Sequence, residues 1–153
     1  MNLPASDYLI FDIADRRFAL ATAQVREVVR AVAVRPLPRA PAVVEGLVDV
    51  RGQVVPVFDL RRRFGMAPRA LSPSEHFILG LTARRLVAVR ADRVQAVLPV
   101  PESQVHDPRR AVPAAEQVAG VVTLADGLVL IHDLDTFLSD AESATLDAAL
   151  ADA

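Results

Sequence analysis

The chain contains two related copies of one unit. Sliding the sequence by 74 positions lays Gly46 to Leu60 over Gly120 to Leu134 without a gap. Gly46/Gly120, Val48/Val122, Val55/Val129, Asp59/Asp133 and Leu60/Leu134 coincide. Upstream, Ile10 to Phe18 runs parallel to Ile78 to Leu86, and after a one-residue slip Val25, Val28 and Val29 meet Val94, Val97 and Leu98. A repeat constrains the fold more than any local propensity, because each copy must build the same unit and the two must bury what one leaves exposed. With 153 residues, 52% of them hydrophobic, the chain has one domain's length for two small copies.

Each copy reads as β. Tyr8 to Ile13 and Phe18 to Ala21 are short apolar runs on either side of a turn at Ala14 to Arg17. Val48 to Val50 and Val54 to Phe58 are β-branched and join through Arg51, Gly52 and Gln53, where glycine supplies the positive φ of a tight hairpin. The second copy uses Asp126 and Gly127 for the same turn. Thr22 to Arg30 reads as a short turn passing into a strand. Asp59 and Asp133 stand where an N-cap is needed before short runs that could turn helical. Met66 to Ser74 and Pro99 to Pro113 are rich in proline and mark borders where a ladder is expected to stop. Five short strands per copy can close into a small barrel, which removes exposed edges. The seam between two such barrels is the natural place for a groove. Ser139 to Glu142 has the pattern of a capping box opening a helix over Ala141 to Leu150.

Little in the sequence carries chemistry. There is no cysteine, so no disulfide, thiolate metal site or cysteine nucleophile exists. No Gly-x-Ser-x-Gly elbow, P-loop or dinucleotide fingerprint occurs, and His76, His106 and His132 stand apart without a zinc pattern. His132 beside Asp133 and Asp135 is the one cluster worth weighing for a metal, and alternation along a strand puts His132 and Asp133 on opposite faces. No metal or cofactor is expected. A formal net charge of −2 lacks the electropositive field of a nucleic-acid binder. Arg61, Arg62 and Arg63 form the densest basic run and read as a solvated helix face. The absence of a leader pattern or a membrane-length apolar run points to a soluble cytoplasmic protein.

The copies differ at particular polar positions. Arg51 and Gly52 face Ala125 and Asp126, Pro56 faces Leu130, and Glu27 faces Ala96. Glu27 and Arg51 are therefore candidates for a task that one copy alone performs; drift at exposed positions explains the mismatch equally well.

The string Gly-x-x-x-x-Arg-Gly-x-x-x-Pro-x-x-Asp-Leu-Arg over Gly46 to Arg61, with Val25, Glu27 and Val28 before it, resembles the CheW family of chemotaxis coupling proteins. Ala91 to Val97 and Gly120 to Leu134 resemble the family's closing motifs, so the likeness covers 7–138. It implies an all-β fold of two SH3-like five-stranded β-barrels packed together, with short helices and a C-terminal helix over 139–153. The expected boundaries are 8–70 for the first barrel and 75–138 for the second, with strand exchange between them allowed. The resemblance also implies an adaptor without catalysis. Its partners would be the regulatory domain of a CheA-type histidine kinase and the cytoplasmic tip of a methyl-accepting chemoreceptor, without nucleic acid or membrane insertion. By itself it would be a monomer, and with its partners a former of rings and arrays. Val25, Glu27, Gly46 and Arg51 match positions that the family uses in coupling, and Val94 and Val97 match apolar positions of the second barrel. The family's usual Asn is replaced by Asp49, which removes donors, allows pairing with an arginine and could alter receptor preference. The alternatives are an adaptor of a non-flagellar chemosensory pathway and, more remotely, a small-barrel nucleic-acid binder.

Overall fold

The computed structural model describes residues 5–106, 118–124 and 127–153. The strands are β1 (Ala5–Ile13), β2 (Arg16–Ala21), β3 (Val25–Arg30), β4 (Val44–Val50), β5 (Gln53–Phe58), β6 (His76–Leu81), β7 (Leu86–Ala91), β8 (Arg93–Pro101), β9 (Val118–Leu124) and β10 (Gly127–His132). Helix α1 is Leu60–Arg63 and α2 is Asp140–Ala151, with single 3-10 turns at Thr22–Gln24, Glu102–Gln104 and Leu134–Thr136. They form two five-stranded sheets in the orders β8-β1-β2-β10-β9 and β3-β6-β7-β5-β4.

The sheets do not follow the halves of the sequence. One lobe is the contiguous run β3 to β7, and the other joins β1 and β2 to β8, β9 and β10. The boundary expected between 70 and 75 therefore falls inside one sheet, and each sheet takes two strands from one copy of the repeat and three from the other. The exchange is sealed by two parallel pairings. Val57 lies against Ala88 in one lobe, and Leu130 against Phe18 in the other. The two hairpins within each copy, β1–β2 and β4–β5 in the first and β6–β7 and β9–β10 in the second, survive the exchange.

Each sheet closes in the same way. Downstream of β3, Arg35 bridges Leu47 on β4, and downstream of β8, His106 bridges Val121 on β9. The bulges repeat too. Arg26 is the extra residue between Val25 and Glu27 opposite β6, and Gln95 the extra residue between Val94 and Ala96 opposite β1. A bulge bends and twists a strand, which turns a sheet toward closure. β8 runs through Pro99 to Pro101, pairing Pro99 with Asp7, although a ladder was expected to stop there. β8 is an edge strand, and an edge tolerates a residue with no N–H to donate. The rest of the proline-rich stretch, and Asp126 of the hairpin turn, lie outside the described residues.

Strand alternation distributes most of the buried apolar residues over three large clusters. Ile10, Ala19, Val129 and Ile131 fill one lobe, and Val55, Val57, Phe77 and Leu79 fill the other. The opposite faces of the same strands, with Leu9, Phe11, Phe18, Ile78, Val87 and Val89, meet in a third and larger cluster between the lobes. This is why β1, β2, β6 and β7 read as nearly unbroken apolar runs rather than alternating ones. Phenylalanines from both sides stack there: Phe11 on Phe18 at 5.8 Å, Phe18 on Phe64 at 5.7 Å and Phe58 on Phe137 at 4.3 Å between ring centres.

The seam is thus packed, where an open groove was expected. Helix α2 lies over it. Ser139 Oγ accepts from Glu142 N at 3.1 Å while Glu142 Oε1 accepts from Ser139 N at 2.8 Å, the reciprocal capping box. Leu146 and Ala149 are buried in the central cluster, and Glu142 pairs with Arg63 while Asp147 pairs with Arg84 and Arg85. An opening of about 250 Å³ lies between α2 and the β6–β7 turn beside Phe58, Leu134 and Leu138.

Of the arginine triplet, expected as a solvated face, only Arg62 is exposed. Arg61 is 3% exposed and grips Asp92, Arg62 donates to the Ala42 carbonyl at 2.9 Å, and Arg63 stands over the Phe137 ring. α1 has barely one turn, so its side chains reach neighbouring loops on every side. His132, expected at a surface or interface, is 1% exposed and edge-on to Phe137 at 5.4 Å and Phe64 at 6.4 Å.

Candidate functional site

The β4–β5 hairpin presents the polar feature that singles out one copy. Val50 pairs with Gln53, so the turn is only Arg51 and Gly52, with φ of 50° and 85°. Two positive φ values in a two-residue loop match the right-handed twist of the flanking strands. Glycine takes this conformation freely, whereas a side chain there costs about 1–2 kcal/mol. Asp49 Oδ1 braces the turn by accepting from Gly52 N at 2.7 Å. Among the described residues Asp49 thus serves the turn and pairs with no arginine. An asparagine oxygen would accept the same bond, so this departure from the family pattern leaves the hairpin geometry intact.

The strained position carries Arg51 to Glu27 on β3, with which it forms an ion pair. The two residues that the repeat left unmatched are therefore brought together, 24 positions apart in sequence. The Arg51 side chain is 70% exposed and that of Glu27 35%, so the pair contributes at most about 1 kcal/mol to stability. It is available at the surface.

The other candidates divide. Gly46 is buried, and a Cβ built on it would sit 2.2 Å from the Arg35 carbonyl oxygen. Its place is under the closing segment, where it touches backbone instead of solvent. Val25 and Val94 stand at equivalent positions on β3 and β8, each half-buried at the margin of the central cluster, one from each lobe. Val97, further along β8, is 53% exposed. Val25, Glu27 and Arg51 belong to one lobe, and Val94 and Val97 to the other. Among the described residues no group of three or more histidines, cysteines or carboxylates could hold a metal ion.

A model of the CheW-like domain matches residues 7–142 of this sequence. The chain belongs to the CheW family. The protein FrzA of Myxococcus xanthus is 32% identical over 120 residues, covering 78% of this chain and 75% of its own. The chemotaxis protein CheW of Treponema pallidum is 25% identical over 138 residues, covering 86% of this chain and 81% of its own. Among solved structures, the scaffolding protein CheW of Thermoanaerobacter tengcongensis superposes with a TM-score of 0.81 at 25% identity, over 91% of this chain and 96% of that one. The match spans nearly all of both chains, so the fold described above is shared with that scaffold over its whole length. No helix among the described residues is long and apolar enough to cross a membrane.

Two ties between the lobes of this CheW-family chain escaped the sequence. The chain crosses from one sheet to the other between β2 and β3 and again between β7 and β8. At the first crossing the Gln24 amide donates to Asp133 Oδ1 at 2.8 Å. At the second, Asp92 accepts from Arg61 at 2.8 and 2.5 Å and from Ala14 N at 2.8 Å. No local pattern announces either, because the partners lie 109 and 31 positions apart. Burial opposes the Asp92 charge, but the bonds from Arg61 and the Ala14 amide, with Arg61 and Arg69 close by, outweigh it and lower its pKa. A depressed carboxylate pKa gives stability that is complete above the ordinary aspartate range and is lost as pH falls through the folded-state value. Asp92→Asn is therefore expected to lower the melting temperature at pH 7 and to flatten its acid dependence below about pH 4. Melting curves from pH 2 to 7 check this, and parallel acid limbs for the two proteins would refute it.

Proposed function

We propose that this CheW-family scaffold is a non-catalytic cytoplasmic adaptor. It couples chemoreceptor signalling tips to the regulatory domain of a CheA-type histidine kinase by holding both partners in register. The observation that carries the reading is the exposed Glu27–Arg51 pair, held out on a strained hairpin where the second copy has Ala96 and Ala125. An exposed ion pair adds little to folding, so a backbone cost borne to present it favours a binding role. With the seam filled, partners would engage the outer faces of the lobes and the seam margins marked by Val25 and Val94. End-to-end contacts of unlike faces are heterologous and can propagate into rings.

Calorimetry and size exclusion with a receptor tip and a kinase regulatory domain test this. The wild-type chain is expected to bind both. Arg51→Ala should move the melting temperature by no more than about 2–4 °C, the shift that 1 kcal/mol gives a chain of this size. It should weaken one partner at least tenfold, and Arg51→Glu combined with Glu27→Arg should restore part of that loss. Failure of the wild-type chain to bind either partner ends the proposal. A second reading, an adaptor of a non-flagellar chemosensory pathway, is favoured by the match to a relative named FrzA. The kinase and receptor recovered with the chain from its own cells would separate the two.

A further inference from the structure

Most of the described arginines are tied to carboxylates, including Arg17, Arg39, Arg61, Arg63, Arg85 and Arg90. Arg26, Arg30 and Arg35 are not: among the described residues none has an ion-pair or side-chain hydrogen-bond partner. Of the four described arginines without such a partner, Arg16 lies on β2 and these three fall on one stretch, β3 and the segment that follows it. Exposure alternates along β3, with Arg26, Val28 and Arg30 outward. The cross-strand neighbours on β6 are Gly80, Leu79, Ile78, Phe77 and His76, so no carboxylate there offsets the charge. Beyond the strand, Val32 is 49% exposed, and it and Arg35 line a groove of about 780 Å³ with Leu37, Leu47 and Val54. The equivalent outward positions on β8 are Gln95, Val97 and Pro99, which carry no charge. β3 ends its sheet, and no strand among the described residues pairs with its other edge.

We infer that the free edge of β3 is a docking strand for an extended acidic segment of a protein partner. The segment bears carboxylates opposite Arg26 and Arg30 and an apolar side chain opposite Val28. Added beside β3, such a segment completes backbone hydrogen bonds that an edge leaves open, and directly opposed side chains come within about 5 Å. Charge selects the partner, and the valine between the arginines sets the register. Two or three cations on a chain of net charge −2, with no aromatic ring between them, suit a short carboxylate segment better than a nucleic-acid backbone. The inference goes beyond the coupling reading and does not assume it.

The test uses the full chain and a fluorescein-labelled peptide with the core Glu-Thr-Val-Thr-Glu. Its lysine counterpart, a short DNA duplex and phosphatidylserine vesicles serve as competing ligands. The acidic peptide is expected to bind at low salt and to slow amide exchange in β3. Affinity should fall at least tenfold in Arg26→Gln/Arg30→Gln with the melting curve preserved. It should be unchanged in Arg16→Gln, an exposed and likewise unpaired arginine on β2. Absence of peptide binding overturns the inference, as does an equal loss in Arg16→Gln, which would mean indiscriminate charge attraction. Preferential binding of the duplex or vesicles through Arg26 and Arg30 overturns it as well. None of these results bears on whether a kinase domain or receptor tip binds, which the Arg51 experiment decides separately.

Discussion

Gly46→Ala is expected to lower the melting temperature by about 10 °C, from a cost of about 3 kcal/mol at 2–4 °C per kcal/mol. The added Cβ would stand 2.2 Å from the Arg35 carbonyl oxygen, 2.9 Å from its carbonyl carbon and 2.8 Å from Val34 Cγ1. Those are atoms of the segment that closes the sheet. Arg35 N donates to the Leu47 oxygen at 2.8 Å and its own oxygen accepts from Leu47 N at 2.7 Å, so neither strand can withdraw without breaking the bridge. The equivalent substitution supplies the control. At Gly120 the nearest atom is Val105 Cγ1 at 2.6 Å, on a side chain instead of backbone, and the nearest backbone atom is the His106 oxygen at 3.6 Å. Gly120→Ala should therefore cost less, about 1–2 kcal/mol, because a side chain gives way more readily than a hydrogen-bonded backbone. Thermal unfolding of the two variants measures the difference. Equal losses would mean that closure is not what Gly46 protects. A lost partner interaction in Gly46→Ala would then follow from the displaced closure, with no direct contact at the glycine.

Arg90→Leu is expected to be the most destabilising change of a single charge, at about 3–5 kcal/mol. Arg90 is 2% exposed and Glu75 is fully buried. The guanidinium donates to Glu75 at 2.6 and 3.1 Å, to Glu45 at 2.6 Å and to the Arg69 carbonyl at 2.8 Å. Burial works against the Arg90 charge, yet the bond to Glu75 and the nearby Glu45 outweigh it and raise its pKa. Glu75 Oε2 also accepts from Ser72 N at 2.7 Å, so the network anchors the connector between the two copies of the repeat. Removing the arginine leaves two carboxylates without their counter-charge, and that penalty exceeds the value of the pair itself. Arg90→Leu/Glu75→Leu should recover much of the loss, because an apolar pair of similar volume often replaces a buried ion pair at little cost. Urea unfolding of both variants decides. If the double variant is as unstable as the single one, the fork is holding the connector by geometry that no apolar pair supplies.

The resemblance and the repeat were legible because they lie in residue identities at fixed spacing. The caps were legible for the same reason: Asp59 and Asp133 accept from the amides two residues on, at 2.9 and 3.0 Å. So was the hairpin glycine, since only backbone torsion decides that position. The candidate site was half legible. Comparing the copies isolated Glu27 and Arg51 as unmatched, and the structure joined them; it placed Gly46 in the interior, although sequence resemblance had set it beside them.

What the sequence by itself determined is local: turns, caps, apolar runs and the existence of two equivalent copies, each fixed by torsional preference or by which side chains avoid water. Only the tertiary structure decided which strands share a sheet. A strand apolar on both faces satisfies its hydrogen bonds and buries its side chains equally well beside its own copy or the other one. The choice between them is made by the crossings that Gln24 and Asp92 hold, the parallel pairs of β5 with β7 and β10 with β2, and the phenylalanines packed between the lobes. The same packing filled the expected groove and left the arginines of β3 facing water, with no side-chain partner among the described residues.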